Sequence, residues 1–246
     1  RQLHETGNNA AEIACHFGPS DHPEVPGRWQ YYGVSLPFWR SYDKEDPRRE
    51  FFYYDYTGDA KRDDQSDYGF HYMVPEEGVT VVPNDTTKYM QNVATMKYTY
   101  DMISDAYYDG RTICIFRLSD VILCKAEIEN NLNGPAAALP YLNQIRARAG
   151  APEYGKHNRF PAPSTKEAMN DAILKERGYE LVFEFQRRAD LIRFGKYEEV
   201  VNAHLKKLGI AQPTNVTSSL RYFPYPLNDA QLNPNLAAEN PSRLPK

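Results

Sequence analysis

Seven prolines between residues 19 and 83 limit the first part of this 246-residue chain to short secondary-structure elements. They are Pro19, Pro23, Pro26, Pro37, Pro47, Pro75 and Pro83. Proline donates no backbone hydrogen bond and clashes with the preceding turn, so it breaks a long helix. We therefore predict that residues 1–110 form long loops, short strands at residues 51–56 and 79–82, and one helix near residues 99–107.

The second part of the chain, residues 111–246, has the spacing of one-sided helices. The face expected to be buried in the first helix comprises Leu118, Val121, Ile122, Lys125 and Ala126. Gly134 is expected to end that helix, and Pro135 is a favourable first residue for the second. The second helix is expected to stop at Gly150, with a kink or a late start caused by Pro140.

Two further helices and an extended tail are predicted. Ser164 and Glu167 have capping-box spacing, which starts a third helix that is expected to run toward Gly195 with a break at residues 186–189. A fourth helix is expected at residues 197–208, and the prolines from Pro224 onward predict an extended tail. The chain is thus predicted to be mainly α, with paired helices, a long loop-rich and aromatic-rich region and minor β structure.

Charge and composition exclude several classes of protein. The 29 Lys and Arg against 33 Asp and Glu give a formal net charge of -4 at pH 7, with no dominant basic stripe, so nucleic acid is not an expected partner. No apolar run approaches the roughly 18 residues of a membrane span. Three cysteines make no disulfide framework.

Three carboxylates, Glu176, Glu180 and Glu184, follow each other at four-residue intervals on the third helix. They allow two interpretations: a site for acid/base or metal chemistry, or structural ion pairs with Arg187 and Arg188. The structural interpretation is favoured because glycosidic acid/base chemistry needs carboxylates facing each other across a cleft, which one helix cannot present. The helix also lacks the histidine of a Glu-x-x-His metal motif.

No cofactor or metal site is predicted from the remaining motifs. The six histidines form no HExxH pair, and phosphate-binding glycine loops are absent from the sequence. Five aspartates lie around Gly58, but their spacing differs from that of an EF-hand, so calcium binding stays open: Asp55, Asp59, Asp63, Asp64 and Asp67.

Aromatic residues are concentrated in one stretch: residues 29–72 hold 14 of the 32 Phe, Trp and Tyr residues. Flat apolar rings with polar tips suit the apolar faces and hydroxyl rims of sugars. Most of the rings are expected to be core, particularly Phe38, Phe51, Phe52 and Phe70. In the consecutive pairs Tyr31-Tyr32, Tyr53-Tyr54 and Tyr107-Tyr108, an extended backbone would turn one ring of each pair outward.

Five sequence blocks in the second part resemble the C-terminal region of the SusD/RagB family of surface nutrient-binding lipoproteins. They are RLSDVILCKAE at 117–127, LNQIRARAG at 142–150, ILKER at 173–177, ELVFE at 180–184 and RRADLIRFG at 187–195. Weaker similarity lies upstream at Asp46-Pro47-Arg48 and Lys97-Tyr98. The strong resemblance covers residues 111–246.

The resemblance implies a fold of tetratricopeptide-like helix pairs, with a loop-rich face that captures glycan or, in some members, peptide. It also implies a lipid anchor in the outer membrane, a SusC-like TonB-dependent transporter as partner, and no catalysis. Motif positions such as Glu176, Arg177, Glu184, Arg188 and Asp190 are implied to hold helices together. Family members are longer, so the chain is expected to be a C-terminal fragment or half of a split protein, with the N-terminal portion as a partner.

We therefore expect a single SusD/RagB-like domain over residues 1–246, with a ligand-facing part at 1–110 and a helical scaffold and tail at 111–246. The residues predicted to form an oligosaccharide-stacking platform are Trp29, Tyr31, Tyr32, Trp39, Tyr53 and Tyr54. Arg28 and Asp55 are predicted as hydrogen-bonding partners of the ligand. A peptide-binding protein, a glycan-acting hydrolase and a partner-docking surface are the alternatives.

Overall fold

The computed structural model describes residues 17–19, 22–23, 30–58, 70–77, 87–97, 114–207, 216–217, 223, 225–233 and 235. The chain divides into two compact units, Arg1–Met169 and Asn170–Lys246. The strand predicted at residues 79–82 and the helix predicted near residues 99–107 lie outside the described residues. The single family domain over residues 1–246 stays a prediction.

Short strands form two small sheets in the described part of the first unit. The strands are β1 (Val34–Ser35), β2 (Phe52–Tyr53), β3 (Asp55–Thr57), β4 (His71–Met73), β5 (Thr87–Tyr89) and β6 (Asn92–Thr95). One sheet has the antiparallel order β1-β6-β2, and in the other β4 pairs antiparallel with β3 and parallel with β5. The strand predicted at residues 51–56 is therefore present as two strands that belong to different sheets.

The core of the first sheet is aromatic and aliphatic. Val93 is fully buried, and the rings of Phe52 and Tyr42 meet with centroids 5.6 Å apart. The predicted burial of Phe52 is confirmed, whereas Phe38 and Phe70 are half-buried. The predicted burial of Phe51 is wrong: it is 55% exposed at the end of a 3-10 helix, whereas Phe52, the first residue of β2, turns inward.

The prolines act as predicted in the described loops, since only short helical turns surround them. Helix α1 (Leu36–Arg40) has Pro37 in its first turn, and a 3-10 helix spans Pro47–Phe51. Asp46 caps the 3-10 helix by accepting a hydrogen bond from the backbone N–H of Arg48, and it pairs with the guanidinium of Arg48 at 2.7 Å.

The first two predicted helices are confirmed as a hairpin of α2 (Leu118–Asn133) and α3 (Pro135–Ala149), joined by Gly134. Gly150, at φ 71°, ends α3 in the left-handed conformation that glycine favours. Helix α3 begins at Pro135, so the late start expected from Pro140 is wrong. Pro140 lies near the N-terminus, where its missing N–H removes a single intrahelical bond.

The buried face predicted for α2 is partly wrong. Ala126 is fully buried, as expected, together with Leu123. Leu118 and Val121, by contrast, are exposed. The helix carries apolar side chains around much of its circumference, and a 3.6-residue period does not indicate which of two apolar stripes will meet a neighbour.

The third predicted helix is divided in two. Helix α4 (Lys166–Glu180) is capped by the hydroxyl of Thr165, which accepts from the N–H of Ala168, rather than by Ser164 as predicted. The break falls at residues 181–186 instead of 186–189, where Phe183 and Phe185 have φ values of 61° and 62°. Bulky residues rarely adopt this left-handed conformation, so no sequence signal placed the break here.

The remaining helices are α5 (Arg187–Arg193), α6 (Tyr197–Lys207) and α7 (Leu227–Leu232). Helix α6 confirms the fourth predicted helix as far as the described residues extend. Helix α7 corrects the prediction of a wholly extended tail: Pro226 precedes the helix, a position where proline is tolerated. The predicted fold class, mainly α with minor β, is confirmed.

Candidate functional site

Two consecutive tyrosines, Tyr31 and Tyr32, are exposed in a loop whose flanking residues contact Asn92. On one side the amide of Gln30 donates to Oδ1 of Asn92 at 3.1 Å. On the other side Gly33 passes so close to Asn92 that a Cβ there would lie 2.1 Å from the same Oδ1. The residues on either side of the two tyrosines, Gln30 and Gly33, therefore both lie against the side chain of Asn92, the first residue of β6.

The exposure of this pair differs from the prediction. Tyr31 is 64% exposed and Tyr32 is 58% exposed, so both rings face outward rather than one. The two residues lie in a loop before β1, where strand alternation does not apply. Tyr32 also contacts the ring of Phe17, with centroids 5.5 Å apart. The pair is the most open aromatic surface among the predicted platform residues that the structure describes.

Trp39 does not belong to an open platform, and the prediction that it is a stacking residue is wrong. Its side chain is 5% exposed. The guanidinium of Arg49 lies 4.2 Å from the centroid of the indole ring. The centroid of the Tyr54 ring lies 5.2 Å from that of the indole. The indole Nε1 is buried without a hydrogen-bond partner. Because the side chain is buried, no sugar ring has access to the indole.

Tyr54 is half-buried beside Trp39, and its phenol is oriented by an acidic neighbour. The Tyr54 O–H donates to the Glu50 carboxylate at 2.6 Å. This hydrogen bond, together with burial, raises the pKa of Tyr54 above its usual range. The phenol of Tyr54 therefore stays protonated. It donates its hydrogen bond to Glu50 of the same protein.

Tyr53 joins a cluster that we call the tyrosine cluster: His22, Tyr53, Tyr56 and Tyr72. The imidazole of His22 lies 4.8 Å from the ring of Tyr53 and 4.9 Å from that of Tyr56. Tyr56 is buried and the other members are half-buried. The cluster thus combines a closed centre with partly open edges, one of which is the predicted platform residue Tyr53.

Polar groups border the tyrosine cluster on the second sheet. The ammonium of Lys88 lies 4.0 Å from the ring centroid of Phe70 and 3.3 Å from the hydroxyl of Tyr72. The predicted ligand partner Asp55 is exposed and contacts Nε2 of His71 at 2.6 Å. Because side chains alternate along a strand, Asp55 projects to the face opposite Tyr56. Asp55 therefore does not lie on the same face of β3 as Tyr56.

Two predicted site residues, Arg28 and Trp29, lie outside the described residues, as does the pair Tyr107-Tyr108. Sequence reasoning missed His22 and Lys88, which the fold brings to the rings from distant parts of the chain. Neither residue belongs to a recognisable motif. For Lys88 the only signal would have been the pairing of β4 with β5, which a single sequence does not contain, and for His22 the sequence held no signal.

In the carboxylate-rich segment of the second unit, the described contacts are ion pairs that join helices. The Nε of Arg177 donates to Oδ2 of Asp190 at 2.8 Å, and both side chains are almost fully buried. Glu176, Glu180 and Glu184 are also buried. This agrees with the structural interpretation of the motif and with the implied role of Arg177 and Asp190 in holding helices together.

Within the described residues, no group of three His, Cys, Asp or Glu side chains is placed to hold a metal ion. The search for membrane-spanning helices, made over the same residues, found none with the necessary length and apolarity. Most of the aspartates around Gly58 lie outside these residues.

The described residues define a mainly helical protein with a small aromatic-rich β region and a helical hairpin. The family model described as the SusD family matches residues 29–242. This match spans most of the sequence, and the chain therefore belongs to the SusD family.

Two curated relatives show how far the similarity extends along the chain. The SusD-like protein P25 of Formosa agariphila is 39% identical over 120 residues, which is 49% of this chain and 22% of the relative. The starch-binding protein SusD of Bacteroides thetaiotaomicron is 28% identical over 137 residues, 55% of this chain and 22% of the relative. The chain thus matches well under half the length of these relatives.

Two solved structures show the same fold. A SusD superfamily protein from Bacteroides vulgatus has a TM-score of 0.55 at 24% identity, covering 86% of this chain and 44% of that chain. Surface glycan-binding protein A from Bacteroides thetaiotaomicron has a TM-score of 0.57 at 20% identity, and the alignment covers 96% of this chain and 46% of that chain. At these identities the similarity establishes the fold alone.

Proposed function

We propose that this chain binds oligosaccharide at the cell surface without altering it chemically, and delivers it to a SusC-like TonB-dependent transporter of the outer membrane. The observation that carries the proposal is the exposed pair of rings at Tyr31 and Tyr32, whose neighbours Gln30 and Gly33 lie against Asn92. A fixed aromatic surface binds a ring-shaped ligand with little loss of side-chain entropy.

Family membership supports glycan as the ligand. One relative is named a starch-binding protein, and one structural neighbour is named a surface glycan-binding protein. The predicted mode of binding is stacking of the apolar C–H face of a sugar on a tyrosine ring, with hydrogen bonds to its hydroxyl groups. The phenol groups of Tyr31 and Tyr32 are suited to both contacts.

The size of the ring pair sets the expected affinity. Each exposed ring contributes about 1 kcal/mol beyond its buried area, if the lower part of the range for aromatic pairs applies to a sugar on a ring. Two or three such contacts, with a few hydrogen bonds, correspond to a dissociation constant of about micromolar or weaker. Weak capture agrees with a protein that must release its cargo.

The transporter partner, the lipid anchor and the outer-membrane location rest on the family resemblance. Arg28 and Trp29 remain proposed ligand residues. Tyr53 and Tyr54 remain proposed contacts at the partly open edges of the aromatic region, and Asp55 remains a proposed hydrogen-bonding partner of the ligand. Trp39 is left out of the proposed site because its side chain is buried.

The test is the retardation of the chain in native gels that contain polysaccharide, followed by calorimetric titration with the oligosaccharide that retards it. The double variant Tyr31→Ala/Tyr32→Ala is expected to lose at least tenfold in affinity, because two stacking contacts of about 1 kcal/mol each disappear. Its melting temperature should stay within a degree or two of the wild type, since both rings are exposed. Phe185→Ala, which removes an exposed ring of the second unit, is the matched control.

Three results would contradict the proposal. Unchanged retardation of the double variant would remove Tyr31 and Tyr32 from the site. New reducing ends after incubation with the oligosaccharide would show hydrolysis instead of capture. Binding on a peptide array with no binding on a glycan array would assign the chain to the peptide-capturing alternative.

A further inference from the structure

Lys88 adds a positive charge to the aromatic face of the sheet formed by β3, β4 and β5. It lies opposite Tyr72 in the ladder of β4 and β5, and Tyr72 in turn lies opposite Tyr56. Residues that are directly opposite each other in neighbouring strands share one face of a sheet. Tyr56, Tyr72 and Lys88 therefore form one row across the three strands. The ring of Phe70 borders this row, since the ammonium of Lys88 lies 4.0 Å from its centroid.

Two rings and a hydroxyl group position the ammonium of Lys88. Besides its contact with Phe70, it lies 5.3 Å from the ring centroid of Tyr72 and donates to the hydroxyl of Tyr72 at 3.3 Å. A cation near the face of an aromatic ring is attracted by the quadrupole of the ring. These contacts give a long, flexible side chain a preferred position at the edge of the tyrosine cluster.

The positive charge of Lys88 has no carboxylate within ion-pair distance among the residues that the structure describes. Asp55 projects to the opposite face of the sheet and contacts His71. Three other described lysines each pair with a carboxylate: Lys125, Lys156 and Lys196. Lys88 is exposed, and only one of the three N–H groups of its ammonium is directed at Tyr72. The ammonium therefore retains donors for an anionic ligand.

An acidic sugar has the chemistry that this edge of the tyrosine cluster fits. Its pyranose ring presents apolar C–H groups to aromatic side chains, and its carboxylate or sulfate group accepts charge-assisted hydrogen bonds from an ammonium. The chain as a whole carries a formal net charge of -4, which does not attract an anion from a distance. Attraction of an acidic sugar must therefore come from a local cation such as Lys88.

We propose that the Lys88 edge of the tyrosine cluster is a subsite for the carboxylate or sulfate group of an acidic oligosaccharide. The anion accepts hydrogen bonds from the Lys88 ammonium, which Phe70 and Tyr72 hold in place. This inference rests on the proposed function, because it names the class of glycan that the chain captures. Carboxylate and sulfate share the same chemistry here, and the probes below distinguish them.

The test begins with an array of defined oligosaccharides probed with the full chain. Oligogalacturonate and alginate oligosaccharides supply carboxylates, carrageenan oligosaccharides supply sulfates, and starch and xylan oligosaccharides are neutral. Each acidic compound that binds is then compared by calorimetric titration with its own neutral derivative, the methyl ester or the desulfated form. The acidic form is expected to bind about fivefold more tightly, the upper range for one exposed ion pair. This preference should fall at about 1 M salt, where the screening length is about 3 Å.

Variants of Lys88 test whether this ammonium recognises the acidic group. Lys88→Gln is expected to lower the affinity for the acidic form about fivefold and to leave the affinity for its neutral derivative unchanged. Lys88→Arg keeps the charge and should retain most of the preference. The matched control is Lys175→Gln, which alters an exposed lysine 5.7 Å from the ring centroid of Tyr179 and should change neither affinity. Melting curves of the variants should match the wild type, because both lysines are exposed.

Each contrary result has a distinct meaning. Binding only to the neutral starch or xylan oligosaccharides would overturn this inference and leave the proposed function standing. No binding to any oligosaccharide of the array would contradict both. Equal binding of an acidic compound by wild type and Lys88→Gln would remove Lys88 from the site. An equal loss of affinity for the acidic and neutral forms in Lys88→Gln would show that the side chain does not recognise charge.

Discussion

Tyr56 and Tyr72 stack face to face, with ring centroids 4.9 Å apart and an angle of 11° between their planes. The two residues lie directly opposite each other in the ladder of β3 and β4. Cross-strand aromatic pairs are a main source of stability in small sheets, and these strands have only three residues each. The closed part of the aromatic region therefore supports the fold.

The coupling between these rings can be measured by a double-mutant cycle. Tyr56→Ala is expected to lower the free energy of unfolding by about 3 kcal/mol, because it removes a buried aromatic side chain. Tyr56→Ala and Tyr72→Ala together should show a coupling of about 0.5–1.5 kcal/mol in urea unfolding. Tyr31→Ala, the exposed control, should stay within about 0.5 kcal/mol of the wild type. Strictly additive effects would show that the stacking does not stabilise the sheet.

Trp39 is expected to behave as a core residue. Trp39→Ala should reduce the free energy of unfolding by about 3–5 kcal/mol and lower the melting temperature. Trp39→Phe retains a ring and removes an unpaired buried N–H, so its loss should be clearly smaller. Urea unfolding of both variants checks this. An unchanged melting temperature for Trp39→Ala would return the indole to the list of open stacking residues.

The buried pair of Arg177 and Asp190 is expected to be the most sensitive charged contact of the second unit. Asp190→Asn leaves the guanidinium buried without its counter-ion and should cost about 3–5 kcal/mol of unfolding free energy. Lys196→Ala breaks an exposed pair with Glu199 and should cost about 1 kcal/mol or less. Chemical denaturation of the two variants measures the difference. Equal effects would mean that burial does not distinguish these pairs.

His204 on α6 is expected to make the chain less stable in mild acid. Burial, and then the positive charge of Lys207, lower the pKa of His204 below its usual value of about 6.5. Below that pH the unfolded chain binds the proton more readily than the folded chain, so this contribution to stability is present above pH 6.5 and is lost as the pH falls toward the folded-state pKa.

Thermal unfolding at pH 7.5 and pH 5.0 tests this dependence. Wild type should lose more stability between the two pH values than His204→Gln, which cannot titrate. His157→Gln, which removes another half-buried histidine, serves as the control for the general effect of acid. An identical loss in wild type and His204→Gln would show that this side chain does not contribute.

The ends of α2 and α3 could be predicted because local chemistry decides them. Gly134 and Gly150 take backbone conformations that other residues adopt only with strain, and Pro135 is suited to the first turn of a helix. The break after α4 could not be predicted, because Phe183 and Phe185 enter the left-handed region without glycine. Only the packing around such residues can hold them in that conformation.

The candidate site was predictable as a region but not residue by residue. The concentration of rings in residues 29–72 is a property of the sequence, and the exposed pair Tyr31 and Tyr32 lies within it. The burial of Trp39 depends on the side chains of Arg49 and Tyr54, which pack against its indole. The approach of Lys88 to Tyr72 depends on the pairing of β4 with β5.

The amino-acid sequence alone determined the division into a proline-broken, aromatic-rich part and a helical part, because proline geometry and helical periodicity act over only a few residues. The tertiary structure decided which rings are open and which face of α2 is covered. Those properties depend on neighbours brought together from distant positions, and a side chain's own identity does not specify its neighbours. For this reason Leu118 is exposed and Leu123 is buried on the same helix.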